Sequence, residues 1–470
     1  MTDLIVDVKN FIQKNHTTII LSLIIILHIL ILLQTVFWPA AEFRILPYLT
    51  AKGLVPYKDI IDQHFPGIFF FPINLFTIGL ANPLGLRLMQ IFIVASTHVA
   101  IYLITRKLKN SGRYSFYSNI MYVFAQTLFE GYVLWIDSFI SPLVLISYLL
   151  LISETKGAGF RLTFLSGIFL SLALLFKQLI VLVFGLVFIV LLLFRANKKR
   201  IFMFALGFVL PVIFMLIYFS SRQLMNDFFY WTIIFNSKVY PEYAFRLPTL
   251  KEILILFVIT APFIVLTVRE YIKEKRRNIL FLSAYALPLL IFIYGRYDFV
   301  HLQPFIPFAC IFISIGPFLK RPRFHYAFAY LLIFILMCTL QLSKLGEYTT
   351  FIENTHELSI REINRLNNEG FTIYLDSHHE LYQLTGTLPC NYKYVPKLPW
   401  YLDKEKNIFS ESFFIKRPDL LMILNNTDKS SEIYEFAETH YTKVKSVDDF
   451  YMFFSEEKES GVENASSTVQ

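Results

Sequence analysis

Glu42, Arg44, Lys52, Lys58, Asp59, Asp62 and His64 crowd the stretch 38–66, directly after a long apolar run at 17–37. A second set is spread along the chain: Asp137, Lys177, Gln178, Arg296, Asp298 and His301 stand where later apolar runs turn round. Ionisable groups beside such runs are costly and ask for a partner. Lys177 has Leu174-Leu175-Phe176 before it and Leu179-Ile180-Val181 soon after. It must snorkel to the interface or meet an anion there. An anion at that depth suggests a lipid phosphate, which Lys177, Arg296 and His301 are suited to hold and to stabilise as it leaves. Transfer of a sugar from such a phosphate also needs a carboxylate to take the proton of the attacking hydroxyl. Glu42, Asp59 and Asp62 are the candidates. A carboxylate near the reacting carbon also favours an oxocarbenium-like transition state.

Each residue has a plainer reading. Glu42 suits the start of an interfacial helix through the helix dipole. Asp59, after Pro56-Tyr57-Lys58, suits a turn. His64, beside Phe65-Pro66, suits a structural hydrogen bond, as does His301. Arg296 and Asp298 can pair with each other across their turn. Asp137 reads first as a loop-end residue and second as a substrate contact. His378 and His379 adjoin but lack further ligands at metal spacing, so neither a metal site nor a cofactor is expected.

The elements that position these residues follow from composition. The chain has 470 residues, of which 56% are hydrophobic, 17% aromatic and only 17% charged. That is too little charge for a soluble chain of this length. The apolar residues fall in long runs broken by basic clusters, as in a protein of the cell membrane. The net charge of +8 is scattered between runs, so it reads as a topology signal and not as a nucleic-acid patch. The run at 17–37 lacks a small-residue cleavage site and reads as a retained helix. Cys310 and Cys338 lie in apolar runs and Cys390 stands alone, so no disulfide is expected.

Basic clusters near residues 9–14, 106–113, 156–161, 195–200, 269–277 and 320–323 are all placed in the cytoplasm. An even number of crossings must then separate each from the next. The run 162–194 is too long for one span and becomes a hairpin turning at Phe176-Lys177-Gln178 on the outer side. Two more hairpins turn near 130–137 and 295–301. Residues 67–80, with Pro72, are too short to cross and are expected to form an interfacial helix. Further spans at 201–220, 252–268 and 326–342 bring the total to about eleven crossings. The N-terminus is then cytoplasmic and the C-terminal end extracytoplasmic. Beyond the membrane domain, 1–344, an outer domain is expected at 345–456. It has helical spacing over 346–368, strands at 371–375, 420–424, 443–447 and 451–455, and a helix capped by Ser430 or Ser431 and running to about His440. The tail 457–470 is polar and expected to be disordered.

The stretch Gly53-Leu-Val-Pro-Tyr-Lys-Asp-Ile-Ile-Asp-Gln-His-Phe-Pro66 resembles the "G-x-P-Y-x-D … H-x-P" loop of the membrane-embedded GT-C glycosyltransferases. It is most similar to the branch holding protein O-mannosyltransferases and lipid A aminoarabinose transferases (glycosyltransferase family 39). Asp137, Phe176-Lys-Gln178, Gly295-Arg-Tyr-Asp-Phe-Val-His-Leu-Gln-Pro304 and Tyr382-Gln-Leu-Thr-Gly386 follow in the order that resemblance implies. It implies a polytopic α-helical membrane protein with a small C-terminal α/β domain. It also implies an inverting transferase of hexosyl or pentosyl groups from a polyprenyl-phosphate-linked donor to a lipid, glycan or protein acceptor. The substrate-binding set would then be His64, Asp137, Lys177, Gln178, Arg296, Asp298 and His301. Many members carry an acidic pair after the first helix, and this chain has Ala41-Glu42, so either Glu42 or one of Asp59 and Asp62 serves as base. A lipid-linked glycan transporter and a non-enzymatic scaffold are the rival classes. Paired broken helices from inverted repeats would mark the transporter, and none is seen. The enzyme reading requires acids and cations distant in sequence to meet at the outer interface.

Overall fold

The computed structural model describes residues 2–69, 73–153, 159–257, 260, 264, 268, 277–293, 296–315, 351–396, 398, 401, 417–429 and 431–455. The chain folds into two compact units, each drawn from three stretches. The first takes Met1–Pro39, Leu86–Gln223 and Phe245–Thr349; the second takes Ala40–Gly85, Leu224–Ala244 and Thr350–Gln470. This departs from a single cut near residue 344.

The first unit is helical. Its main helices are α1 (Thr2–Gln34), α3 (Pro83–Lys109), α4 (Gly112–Leu128), α5 (Ile136–Ile152), α6 (Gly159–Leu174), α7 (Ile180–Leu193) and α8 (Lys198–Ser221), where α3 begins just ahead of the unit boundary. Arg277–Ala286 and Ile306–Ile315 follow. The windows Thr17–Gln34, Pro83–Lys109 and Lys198–Ser221 are each long and apolar enough to cross a membrane, and shorter apolar helices accompany them. The protein is a membrane protein. The turn expected at 176–178 falls between α6 and α7, the one near 130–137 lies between α4 and α5 and runs into the first turn of α5, and the described part of 295–301 leads into a 3-10 turn at Phe299–Leu302. The span expected at 326–342, Cys338 and the tail 457–470 lie outside the described residues, as does much of 252–268.

Two devices hold these helices together without relying on hydrophobic contrast, which lipid removes. The first is close approach of small residues. A Cβ on Gly207 of α8 would stand 2.1 Å from the Phe164 carbonyl oxygen of α6, and one on Gly167 would stand 2.3 Å from the Phe204 oxygen. The second is polar pairing. His28 of α1 and His98 of α3 meet at 2.8 Å, and both rings are fully buried. His28 reaches Gln126 Oε1 of α4 at 3.1 Å, and His98 reaches Asn119 Oδ1 at 2.7 Å. Ser147 and Ser166 exchange hydrogen bonds with each other's carbonyls across α5 and α6, and the Tyr285 hydroxyl joins them at 2.8 Å from Ser147 Oγ.

The second unit carries a four-stranded sheet in the order Ile373–Leu375, Leu420–Leu424, Phe450–Ser455, Tyr441–Val447. The first pair is parallel and the others are antiparallel. Leu421, Ile423 and Phe453 pack from the sheet against Tyr434 and Ala437 of helix Glu432–His440. Ser431 takes the N-cap place of that helix, but its side chain makes no capping bond; Ser430 lies outside the described residues. The helical pattern at 346–368 resolves into Ile352–Thr355 and Glu357–Asn368, separated by His356. Helix α2 (Glu42–Ala51) belongs to this unit.

No continuous helix spans 67–80. A short 3-10 turn covers Pro66–Phe69, residues 70–72 lie outside the described residues, and turns follow to Gly79. Asn74 explains the loss. Its Oδ1 accepts from the backbone amides of Phe76 and Thr77, and its Nδ2 donates to the Pro47 carbonyl. A side chain that bonds locally to the backbone competes with helix formation. Gly79, at φ +75°, closes the segment in the left-handed region where glycine alone is unstrained.

Candidate active site

In the first unit three chemically active side chains meet. Asp137 lies in the first turn of α5 and is fully buried. Lys177 lies in the turn between α6 and α7, and His301 in a 3-10 turn at Phe299–Leu302. Lys177 Nζ donates to both carboxylate oxygens of Asp137, at 2.8 and 3.1 Å. His301 Nδ1 stands 2.7 Å from Asp137 Oδ2 and 3.3 Å from Lys177 Nζ. Since the carboxylate can only accept, His301 Nδ1 donates to it. The ammonium also sits 4.4 Å from the centre of the Phe292 ring, a cation–π contact. Lys177 is 13% exposed and His301 15%, so the cluster keeps one open side. Such a group can offer an anion the Lys177 ammonium, which Asp137 holds in place; His301, its Nδ1–H already given to Asp137, adds a second N–H donor only when its ring is protonated. Asp137 is therefore the buried partner of Lys177, and not a solvated loop-end residue.

The other members of this set divide. Gln178 is half-buried in the same turn as Lys177. Arg296 donates to Asp298 at 2.6 Å, and Arg246 reaches Asp298 at 3.2 Å and Glu252 at 2.8 Å. The arginines are about half exposed, at 46% and 50%. That makes a surface ion-pair chain, distinct from the buried Lys177 cluster.

In the second unit the first-loop acids also divide. Asp62 is buried; its Oδ1 accepts from the His64 backbone amide at 2.7 Å and faces His64 Nδ1 at 2.8 Å. Glu42 opens α2. Burial pushes its carboxyl above the usual glutamate range, and the charges of Asp62 and Glu380 add to the rise while His64 opposes it. Glu42, Asp62, His64 and Glu380 therefore share one electrostatic neighbourhood. Burial likewise raises Glu380. Asp59 does something else: its Oδ2 accepts from the Val55 amide at 2.9 Å and closes a local turn.

The loop carrying these acids is held from several sides. Ile61 N donates to the Tyr394 carbonyl and Tyr394 N to the Asp59 carbonyl, at 2.9 and 2.7 Å. The Tyr57 hydroxyl donates to the His64 carbonyl, and Asn236 Nδ2 donates to the Gln63 carbonyl. Arg44, itself buried, makes a bidentate pair with Glu353 at 2.6 and 3.2 Å and donates to Gln383. Sequence reading missed Glu380, Tyr394 and Asn236 as neighbours of the loop, because each arrives from a distant stretch with no local motif. Among the described residues neither cluster gathers three His, Cys or acidic donors around one point as a metal would need.

No family model matches the chain, and no curated protein matches it. Solved structures do. ArnT from Cupriavidus metallidurans, bound to undecaprenyl phosphate, superposes with a TM-score of 0.61 at 11% identity, covering 94% of this chain and 98% of that one. The archaeal oligosaccharyltransferase AglB from Archaeoglobus fulgidus, in complex with an inhibitory peptide and a dolichol-phosphate, gives a TM-score of 0.57 at 10% identity, covering 95% of this chain and 75% of that one. The chain has the fold of these proteins.

Proposed function

We propose that this protein is a glycosyltransferase that moves a sugar from a polyprenyl-phosphate-linked donor to a lipid, glycan or protein acceptor at the outer face of the membrane. The observation that carries this reading is the buried Lys177–Asp137–His301 cluster at the ends of apolar helices, on a fold shared with a protein solved with undecaprenyl phosphate. In the reaction the acceptor oxygen attacks the anomeric carbon and its proton passes to a carboxylate. The bond from that carbon to the phosphate oxygen breaks, and its electron pair leaves with the polyprenyl phosphate. A single displacement of this kind inverts the anomeric centre.

Lys177 supplies the charge for the phosphate, which becomes more negative as the bond breaks, so the contact strengthens in the transition state. Asp137 balances Lys177 and fixes its direction. Of the first-loop acids, Glu42 and Asp62 are the candidate bases. A carboxyl raised by burial is the stronger base, which suits abstraction of a hydroxyl proton. Asp59 is a turn residue in this reading. His64 orients Asp62, and Arg296 and Asp298 stand outside the reacting set. No resident metal or organic cofactor is part of the proposal. The cytoplasmic N-terminus and outer C-terminal domain remain as derived from the basic clusters.

The test uses purified protein with labelled polyprenyl-phosphate sugars and lipid, glycan and peptide acceptors. Lys177→Met is expected to lower transfer by about 100-fold or more, in line with loss of a group aimed at developing charge. At least one of Glu42→Gln and Asp62→Asn should lose about 100- to 10,000-fold, the usual contribution of a general base. Asp59→Asn should lose little beyond what the altered turn costs. Full transfer by both Glu42→Gln and Asp62→Asn removes the base assignment, and full transfer by Lys177→Met removes the phosphate assignment.

A further inference from the structure

We propose that His356, His378 and Asp449 form a binding site for a divalent zinc-type cation in the second unit, separate from the transfer chemistry. These three residues are 22 and 71 positions apart in sequence, so no spacing motif betrays them. Folding brings one ligand atom from each to within 4.8 Å of the others. His356 stands between helices Ile352–Thr355 and Glu357–Asn368; His378 follows strand Ile373–Leu375; Asp449 lies in the turn joining strands Tyr441–Val447 and Phe450–Ser455.

The observation that points to a ligand is at His356. Its side chain is 6% exposed, and Nε2 has no hydrogen-bond partner. The nearest acid oxygen, Asp449 Oδ2, is 3.6 Å away, beyond hydrogen-bond reach. The opposite ring nitrogen is already committed. His356 Nδ1 lies 2.8 Å from Thr355 Oγ1, and that hydroxyl is itself 3.5 Å from the Phe351 and Ile352 carbonyls, which can only accept. In the tautomer that metal binding requires, the hydroxyl proton goes to a carbonyl and His356 Nδ1–H donates to Oγ1. This leaves the Nε2 lone pair bare, buried and aimed at His378 and Asp449. An imidazole whose far nitrogen is anchored by a hydrogen bond is the arrangement that metal-binding histidines use. The two histidine rings stand 4.6 Å apart between centroids, with the buried Phe450 ring behind them at 5.9 and 5.7 Å.

Two imidazole nitrogens and one carboxylate oxygen suit zinc and similar late first-row divalent ions better than calcium or magnesium, which prefer all-oxygen shells. Bond lengths of about 2.0–2.1 Å on a tetrahedron place neighbouring ligand atoms about 3.4 Å apart. Asp449 Oδ2, 3.6 Å from His356 Nε2, is already close to that separation, and the cluster as a whole needs to close by little more than 1 Å. Asp449 is 66% exposed, which gives the ion an entry path and a place for a water as fourth ligand. A bound ion would clasp the start of a helix, the loop after a parallel strand and a hairpin turn.

The test is on the full chain in detergent, stripped with a chelator and dialysed. Zn2+ content is measured after reloading, and Co2+ is titrated as a spectroscopic probe. The expected result is one equivalent of Zn2+ and a visible Co2+ spectrum of a tetrahedral, nitrogen-bound site, with the thermal transition of the second unit raised by metal. His378→Gln should weaken binding by about 100-fold and Asp449→Asn by about 10-fold, the range seen when ligands or their supports are removed. His356→Gln tests the buried ligand, but it can also disturb packing, so the wild-type titration is decisive by itself. Absence of a tetrahedral Co2+ spectrum in the wild type, or equal metal content in wild type and His378→Gln, overturns the proposal. Neither result bears on sugar transfer, which is assayed separately through Lys177 and Glu42.

Discussion

At Glu42 the same burial that makes a better base makes a less stable fold. The folded protein holds this proton more tightly than the unfolded chain does, because burial and the nearby Asp62 and Glu380 disfavour the charge. Stability is therefore full below the ordinary glutamate pKa and falls as pH rises through the raised value in the folded state. Glu42→Gln removes that penalty. Above the shifted range it should raise the melting temperature while abolishing most transfer, a trade between stability and activity of a familiar kind. If Glu42 is the base, the acid limb of the pH profile of kcat/KM should also lie above the usual glutamate range. The two measurements together decide the matter. A variant that melts lower than the parent at neutral pH would contradict the burial argument, and an acid limb at ordinary glutamate values would assign the proton transfer elsewhere. Sequence reading could name Glu42 as a candidate but not separate it from Asp59. The difference lies in what surrounds each: Asp59 bonds to Val55 four residues back, whereas the neighbours of Glu42 come from residues 62, 64 and 380.

At the level of helices, turns were legible because charge marks them. Lys177 interrupting an apolar run, and basic clusters flanking it, gave the α6–α7 hairpin, and the strands Leu420–Leu424 and Phe450–Ser455 showed as a short aliphatic run and a short aromatic run. Helix contacts were not legible. Nothing in the sequence distinguishes Gly207 from Gly185, yet a Cβ on Gly207 would strike the Phe164 carbonyl while one on Gly185 meets nothing within 4 Å. The interfacial helix expected at 67–80 failed for a similar reason, since the hydrogen bonds from Asn74 to Phe76, Thr77 and Pro47 are decided by fold. Two glycine substitutions test this level. Gly207→Ala should destabilise the protein by about 1–3 kcal/mol, the cost of overpacking a rigid contact. Gly185→Ala should be neutral or slightly stabilising, as helix propensity favours alanine over glycine. Thermal unfolding in detergent checks both, and equal melting temperatures for the two variants would remove Gly207 as a close-contact residue.

For the chain as a whole, the order of sequence and the order of packing differ. The outer domain expected at 345–456 draws on residues 40–85 and 224–244 as well. The dependence is specific. Tyr394 takes both its backbone hydrogen bonds from residues 59 and 61, Glu353 has its bidentate partner in Arg44, and the Tyr48 hydroxyl donates to the Thr387 carbonyl. Stacking of Tyr401 on Phe235 adds an apolar contact from the middle stretch. A fragment of residues 350–470 expressed alone keeps its four strands and the helix Glu432–His440, so it should retain secondary structure. It also loses the partner of a buried arginine pair, backbone hydrogen bonds and a buried aromatic face. Each such loss costs on the order of 1 kcal/mol or more against a total stability of only about 5–15 kcal/mol. The fragment should therefore melt well below the corresponding transition of the intact protein, and amides of residues 380–401 should exchange faster with solvent than those of Leu420–Leu424. Hydrogen exchange on both forms measures this directly. A fragment as protected at residues 380–401 as the intact chain would mean that the C-terminal stretch is a self-sufficient domain and that the first loop merely leans on it.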